Sequence, residues 1–275
     1  MQILIEQFDL RDQVAVVTGG GGVLCGAISR ALGRAGVQVA VLNRSPESAC
    51  RVADDIVAAG GQAIPVQCDV LDQAALDAAR DRVHATFGRV DILINGVGGN
   101  RPEATATPDV SFFDLPAPAL RGVLDLNLMG VLLPCQVFGR SIAEQGEGSI
   151  LNISSMSAFR PLTRVSAYSA AKAAVSNFTQ WLATYMSQTY SPRIRVNAIA
   201  PGFFLTKQNR YLLIDEQSGE LTPRGRQILD HTPMGRFGAP DDLIGTVLWL
   251  LSPGARFVHG IVVPVDGGFS AYSGV

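Results

Sequence analysis

Tyr168 and Lys172 stand four residues apart in the segment Tyr168-Ser169-Ala170-Ala171-Lys172, whose composition predicts a helix. Residues at that spacing share a helix face. The chain holds only two lysines, Lys172 and Lys207, so a tyrosine–lysine pair at this spacing is uncommon by composition. A phenol titrates near pKa 10, and acid–base work near neutrality asks it to fall by about 3 units, roughly 4 kcal/mol. An ammonium about 4 Å away, at an effective dielectric of about 20, supplies that order of energy. It does so without taking the proton itself. The pair therefore predicts a group that gives a proton to a nascent alkoxide or takes one from an alcohol. Asn152-Ile153-Ser154-Ser155 closes an apolar run just upstream, and the Ser155 hydroxyl can hydrogen-bond the same oxygen. Such a proton step accompanies hydride transfer between that carbon and a nicotinamide.

The elements that would position these groups are legible as an alternation. Short apolar runs at 14–17, 37–42, 63–67, 90–95, 148–153, 194–199 and 261–265 are rich in Val and Ile. Most do not alternate with polar residues, as expected of strands buried on both faces. Between them lie helical patterns at 23–35, 46–59, 72–87, 117–143, 167–190 and 241–251, with Gly36 and Gly88 where helix C-terminal glycines belong. The predicted fold is α/β, a Rossmann-like doubly wound parallel sheet of seven strands with helices on both faces, in one domain over 1–275. Two stretches, 98–118 and 203–240, break the rhythm. Both follow predicted strands, at the sheet edge where such folds bind ligands, and are read as substrate lids.

After the first run comes Thr18-Gly19-Gly20-Gly21-Gly22-Val23-Leu24. Gly19, Gly21 and Gly22 let the backbone approach a pyrophosphate, and the helix start at Val23 and Leu24 supplies free N–H groups. The second run ends in Asn43-Arg44, with no acidic residue. An arginine there accommodates a 2′-phosphate, which favours NADP(H); Asn43 serving a free ribose hydroxyl, with Arg44 solvated, would give NAD(H). Asp69 and Val70 can meet the adenine edge, and Asn95, Gly96 and Gly98 repeat the glycine logic beside the cofactor.

The 275 residues carry a formal net charge of −2, with 47% hydrophobic and 17% charged residues. This composition excludes a disordered chain and offers no basic field for nucleic acid or an anionic membrane. Cys25, Cys50, Cys68 and Cys135 are widely spaced and the three histidines form no cluster, so neither a metal site nor a disulfide framework is expected. A reducing, cytoplasmic setting fits. The longest nearly apolar stretch, 243–251, is too short to cross a bilayer.

On Thr18-Gly19, Asp69, Asn95-Gly96-Val97-Gly98, Asn127, Ser155, Tyr168-x-x-x-Lys172, Pro201-Gly202 and Thr206, the chain resembles the short-chain dehydrogenase/reductase family over essentially its whole length. The resemblance implies a catalytic set of Asn127, Ser155, Tyr168 and Lys172, with the serine thirteen residues before the tyrosine. It implies that Asn127 holds a water of a proton relay and that Lys172 binds the nicotinamide ribose. Pro201, Gly202, Phe204 and Thr206 would line the nicotinamide, with Thr206 on the carboxamide, in a homo-oligomer, tetramer or dimer. Two departures stand out: Val23 and Cys25 occupy glycine positions of the usual phosphate loop, and Gly96 replaces a common asparagine. Phe203 and Phe204 are open between walling the nicotinamide and packing the core.

The strings Pro201-Gly202-Phe203-Phe204-Leu205-Thr206 and His231-Thr232-Pro233-Met234-Gly235-Arg236, the insertion after Gly99 and the terminal segment look like the D-mannonate oxidoreductase branch. That implies a small-molecule sugar acid, D-fructuronate or D-mannonate. A carboxylate asks for an arginine fork. The lids and the segment before Tyr168 offer Asn100, Arg101, Arg160, Arg164, Gln208, Asn209 and Arg210, of which Asn100, Arg160, Asn209 and Arg210 are favoured, together with Ser155 and Tyr168. The alternatives are another carbonyl substrate (a 3-oxoacyl thioester, a neutral sugar or a polyol) and a cofactor-binding sensor without catalysis. The apolar end, Phe269-Ser270-Ala271-Tyr272, is expected at a subunit interface.

Overall fold

The computed structural model describes residues 6–206, 210–215 and 217–274. Seven strands, β1 (Val14–Thr18), β2 (Gln38–Asn43), β3 (Gln62–Gln67), β4 (Ile92–Asn95), β5 (Gly148–Ile153), β6 (Ile194–Pro201) and β7 (Val262–Val265), form one sheet in the order β3-β2-β1-β4-β5-β6-β7. Every pairing is parallel. β1, β4 and β6 are buried along their whole length, which is why their sequences read as continuous apolar runs. β7 is less buried and carries Pro264; on a sheet edge its missing N–H leaves no ladder bond unmade.

The crossovers are α1 (Val23–Arg34), α2 (Pro46–Ala58), α3 (Gln73–Phe87), α4 (Ala117–Leu124), α5 (Gly130–Gln145) and α6 (Ser166–Thr189); the connection from β6 to β7 carries α7 (Arg210–Leu213), α8 (Pro223–Asp230) and α9 (Ile244–Leu251). Ser45 caps α2 by accepting from the Ser48 N–H, with Pro46 at the first turn, and Asp72 caps α3. One core, with Leu93, Phe138, Ile142 and Val175, fills one sheet face; another, with Ile28, Leu32, Ile94 and Leu250, fills the other. The winding direction reverses between β1 and β4, and their final residues Thr18 and Asn95 are paired, so the crevice opens there.

Two expectations are corrected. The segment expected as one helix over 117–143 is interrupted by a π-turn at Asp125–Met129 between α4 and α5. The same continuous stretch, Ala117–Gln145, is long and apolar enough to cross a membrane by composition, contrary to the reading that no segment is. Half of its most apolar 18-residue window is buried within the protein, and α5 carries Val131, Cys135, Val137, Phe138 and Ile142 into the sheet core, so its apolar character is explained by packing.

Candidate active site

Four groups converge beyond the carboxyl ends of β4 and β5. Tyr168 opens α6, and Lys172 follows one turn later with Nζ 5.8 Å from the phenol ring centre. Lys172 is 3% exposed, and its ammonium donates to the Ile153 carbonyl at 2.8 Å. The Ser155 hydroxyl accepts from the Ser157 N–H at 3.2 Å and hydrogen-bonds Tyr168. Ser154 turns the other way, onto Ser176 and the Lys172 carbonyl, which leaves Ser155 as the serine facing the phenol.

Asn127 lies in the π-turn, fully buried. Its Nδ2 donates to Gly99 O at 2.7 Å and Val123 O at 2.8 Å, and its Oδ1 accepts from the Gly99 N–H at 3.0 Å. Both amide hydrogens are thus engaged inside the protein, and one acceptor lone pair is left. Gly98 is pressed against this cluster: a Cβ there would lie 2.7 Å from Asn127 Oδ1 and 3.0 Å from Lys172 Nζ. Sequence reasoning misses the role of Gly99 as the backbone partner of Asn127, although the Gly98-Gly99 pair is its visible sign.

The electrostatics differ from the simple lysine effect. Burial pushes the Tyr168 phenol above its ordinary value, and only the Ser155 hydrogen bond opposes the rise. Burial also lowers Lys172 from 10.5 to about 8. Two enclosed groups each resist their charged form, so the protein environment alone keeps the phenol protonated, whereas the spacing alone predicts a lowered pKa.

The β1–α1 turn fits a pyrophosphate. Gly22 caps α1 without a side-chain bond, no acid lies in its first turn, and Gly22 and Val23 are exposed with Leu24 half-buried. The glycines themselves answer mainly to the protein. Gly19 has φ +65° and lies on the Gly96 carbonyl, while a Cβ on Gly21 would collide with the Ser48 backbone. Asn43 is half-buried with Nδ2 on the Ser45 carbonyl, and Arg44 is exposed. Asp69 is exposed, its carboxylate on the Leu71 N–H, and Val70 is buried against Gly130.

Two of the expected cofactor residues, Asn95 and Phe204, turn their side chains into the protein. The Asn95 side chain faces into the sheet, donating to Asn152 Oδ1 at 2.9 Å and Cys135 Sγ at 3.1 Å, so it braces β4 to β5 and leaves only its backbone toward the crevice. Phe204 is buried in the core with its ring over Gly238, while Phe203 packs edge-on to Phe269. The terminal segment folds back on its own chain through that contact and a Tyr272–His231 ring contact. Pro201 is buried, Gly202 donates to the Val265 carbonyl, and half-buried Thr206 accepts at its carbonyl from the Arg210 N–H. Asn100 is exposed with Nδ2 on Thr105, Arg160 is exposed with Nε on the Ser270 carbonyl, and Arg210 is exposed. Asn209 lies outside the described residues.

The two departures in the cofactor turn are one feature. Cys25 is buried, its thiol pushed up to about 12 by burial, and its Sγ occupies the space a Cβ on Gly96 would need. The side chain gained at 25 is accommodated by the side chain lost at 96. Gly96→Ala is therefore expected to lower Tm by several degrees, since Thr18 O also lies 3.0 Å from the new Cβ. Adding Cys25→Gly should recover more than half of that loss. Thermal melts of both single variants and the double would show it; additive losses would sink the coupling.

The profile of the short chain dehydrogenase family matches residues 13–217. The chain is 49% identical over 276 residues to an uncharacterized oxidoreductase, UxuB, of Bacillus subtilis, covering 97% of this chain and 98% of that one. It is 32% identical to the 2-dehydro-3-deoxy-D-gluconate 5-dehydrogenase of Escherichia coli, over 98% of this chain and 100% of the relative. Among solved structures, a Haemophilus influenzae chain provisionally described as a D-mannonate oxidoreductase, with bound NAD, superposes with a TM-score of 0.91 at 45% identity, over 97% of this chain and 98% of that one. A parallel sheet crossed at β1 and β4, and relatives that match it almost end to end, leave one assignment: the chain belongs to the short-chain dehydrogenase/reductase family and is an NAD(P)-dependent oxidoreductase.

Proposed function

We propose that the protein interconverts a sugar-acid ketone and its alcohol, with D-fructuronate and D-mannonate as the pair. The observation that carries this reading is the 45% identity, at a TM-score of 0.91, to the H. influenzae chain described as a D-mannonate oxidoreductase. A nicotinamide dinucleotide, when bound, supplies or accepts the hydride at the substrate carbon. In reduction the Tyr168 hydroxyl gives its proton to the carbonyl oxygen, so that carbon gains hydride and oxygen gains a proton. Ser155 donates a hydrogen bond to the same oxygen. Lys172 holds positive charge beneath the phenol and steadies the phenolate that remains. Asn127 acts as a brace, fixing Gly99 and through it the loop over Lys172, and its free lone pair can hold a relay water. The glycine turn and the start of α1 would hold the pyrophosphate.

Arg44 supports NADP(H), since an exposed guanidinium after β2 suits a 2′-phosphate. NAD(H) is supported by the dinucleotide bound to the H. influenzae chain. The test is absorbance at 340 nm with D-mannonate and each oxidised dinucleotide, then D-fructuronate and each reduced one. Turnover is expected, with NADPH preferred, and Arg44→Ala should lower the NADPH/NADH ratio of kcat/KM at least tenfold. A wild-type ratio below one would transfer the assignment to NAD(H). Silence with every pair, in a protein that binds dinucleotide, would overturn the substrate.

A homo-oligomer, tetramer or dimer, is part of the same proposal. Its support is a ladder of stacked rings on α6, half-buried Phe178 and exposed Trp181 and Tyr185, beside the α5 groove. Such a patch is costly to leave in water.

A further inference from the structure

Helix α6 presents Val175, Leu182, Ala183 and Met186 to the sheet core, but it meets the end of β5 through polar groups. Asn152, Ile153 and Ser154 follow one another in the chain, and each engages the helix. Asn152 Nδ2 donates to Thr179 Oγ1 at 2.9 Å. The Ile153 carbonyl accepts from the Lys172 ammonium at 2.8 Å, and the Ser154 hydroxyl lies 3.1 Å from the Lys172 carbonyl oxygen. Residues two apart on an extended chain point to the same side, so Asn152 and Ser154 face the helix together. Apolar contact alone is non-directional. Hydrogen bonds depend on angle as well as distance, so this polar seam fixes how α6 is turned and seated on β5.

Ser154 is 2% exposed, and its hydroxyl shares the Lys172 carbonyl with that of Ser176. Each oxygen lies 3.1 Å from the carbonyl, and the two lie 2.7 Å from each other. Two hydroxyls hold two protons. Whichever one donates to the other, the second donates to the carbonyl, and both protons are used. The two serines are not equivalent. Ser176 is one turn further along the same helix, so its bond to the carbonyl is internal to α6. Ser154 belongs to the end of the strand, so its bond joins sheet to helix. Without Ser176, Ser154 still reaches the carbonyl directly. Without Ser154, the Ser176 hydroxyl satisfies its own helix and the joint is lost.

Lys172 is therefore gripped at both ends by one dipeptide. Its ammonium goes to the Ile153 carbonyl, and its own carbonyl receives the Ser154 hydroxyl. The peptide unit between Ile153 and Ser154 is itself pinned, because the Ser154 N–H donates to the Ile199 carbonyl of β6 at 2.8 Å. That N–H and the carbonyl that takes the ammonium belong to one planar group. A lysine carries its charge on a flexible four-carbon stem. Where the ammonium stands relative to Tyr168, on the same helix, thus depends on how far the helix backbone lies from the Ile153 carbonyl. Ser154 sets that distance.

We propose that Ser154 is a positioning residue for the reaction: by tying the Lys172 carbonyl to the strand end that receives the Lys172 ammonium, it sets where that ammonium stands beneath the Tyr168 phenol. This rests on the proton transfer assigned to Tyr168 and Lys172, and not on which acid is the substrate. The chain has two lysines, so lysine labelled with carbon-13 at Cε gives two NMR signals, and Lys172→Met identifies the one from Lys172. In Ser154→Ala the titration midpoint of that signal should rise by at least about half a unit, because a loosened ammonium regains water. Ser176→Ala should leave the midpoint where it is. With D-mannonate, Ser154→Ala should lower kcat about tenfold and change KM by less than about twofold, the pattern of an interaction made in the transition state. In the Lys172→Met background the same substitution should cost less than about twofold, since its effect runs through the missing ammonium. Ser154→Cys, which fills the space with a weaker donor, should fall between; it carries both readouts if Ser154→Ala does not fold. Equal losses of kcat in both backgrounds, or a Lys172 midpoint in the serine variants equal to that of the wild type, would overturn the assignment. If the wild type does not turn over D-mannonate, the substrate reading fails separately and the lysine titration decides.

Discussion

Tyr168→Phe should lower kcat for reduction by at least about a thousandfold, within the range a positioned general acid contributes. The ring stays, and with it the packing against Ala104, Val123 and Ala167. Only the hydroxyl goes, and its hydrogen-bond partner among the described residues is Ser155. A single neutral hydrogen bond contributes about 1 kcal/mol to folding, so Tm should move by only a few degrees. Dinucleotide binding, followed by fluorescence, should be unchanged. The pH dependence follows from the burial that raises the phenol's pKa: the proton needed for reduction is present throughout the neutral range and is lost only on the alkaline side. Reduction should therefore fall at high pH, and oxidation, which needs the phenolate, should rise there. Full turnover in the Tyr168→Phe variant, with dinucleotide bound normally, would remove Tyr168 from the chemistry.

The scaffold was legible because its signals are local. β1, β4 and β6 are apolar without alternation since both their faces are covered, and a run of that kind is visible without coordinates. Tyr168 and Lys172 were legible because one helical turn fixes their relation. What stayed hidden depends on residues far apart in the chain. Asn127 reads as part of a continuous helix until the π-turn rotates its amide onto Gly99, 28 positions earlier. Cys25 and Gly96 each look like a defect in a motif and are complementary only once β1 and β4 lie side by side. The Lys172 electrostatics are misjudged from sequence for a related reason. Spacing gives the distance between two groups on one helix, whereas the cost of enclosing them is set by everything packed around them.

That cost makes Lys172 the second site of large effect, with activity and stability moving in opposite directions. Lowering a lysine from 10.5 to about 8 corresponds to about 3 kcal/mol set against its charged form in the folded state. Below pH 8 both folded and unfolded chains hold the proton, and the folded chain bears the whole penalty. Between about 8 and 10.5 the folded chain has released it while the unfolded chain still holds it, so the Lys172 contribution to stability rises with pH across that window. Lys172→Met keeps the length of the side chain and removes the charge. It strands the Ile153 carbonyl, at about 1 kcal/mol, and abolishes the larger penalty. The variant should then be as stable as the wild type or more so at pH 7, by as much as about 2 kcal/mol, roughly 4–8 °C in Tm at this chain length. Its stability should also lack the rise that Lys172 contributes between pH 8 and 10.5. Catalysis should fall at least a hundredfold, because the phenolate left after proton transfer has lost the cation beneath it. Melts across that pH window, paired with turnover at pH 7, separate the two roles. If the Lys172→Met variant melts well below the wild type while retaining its turnover, Lys172 holds the fold together and takes no part in the reaction.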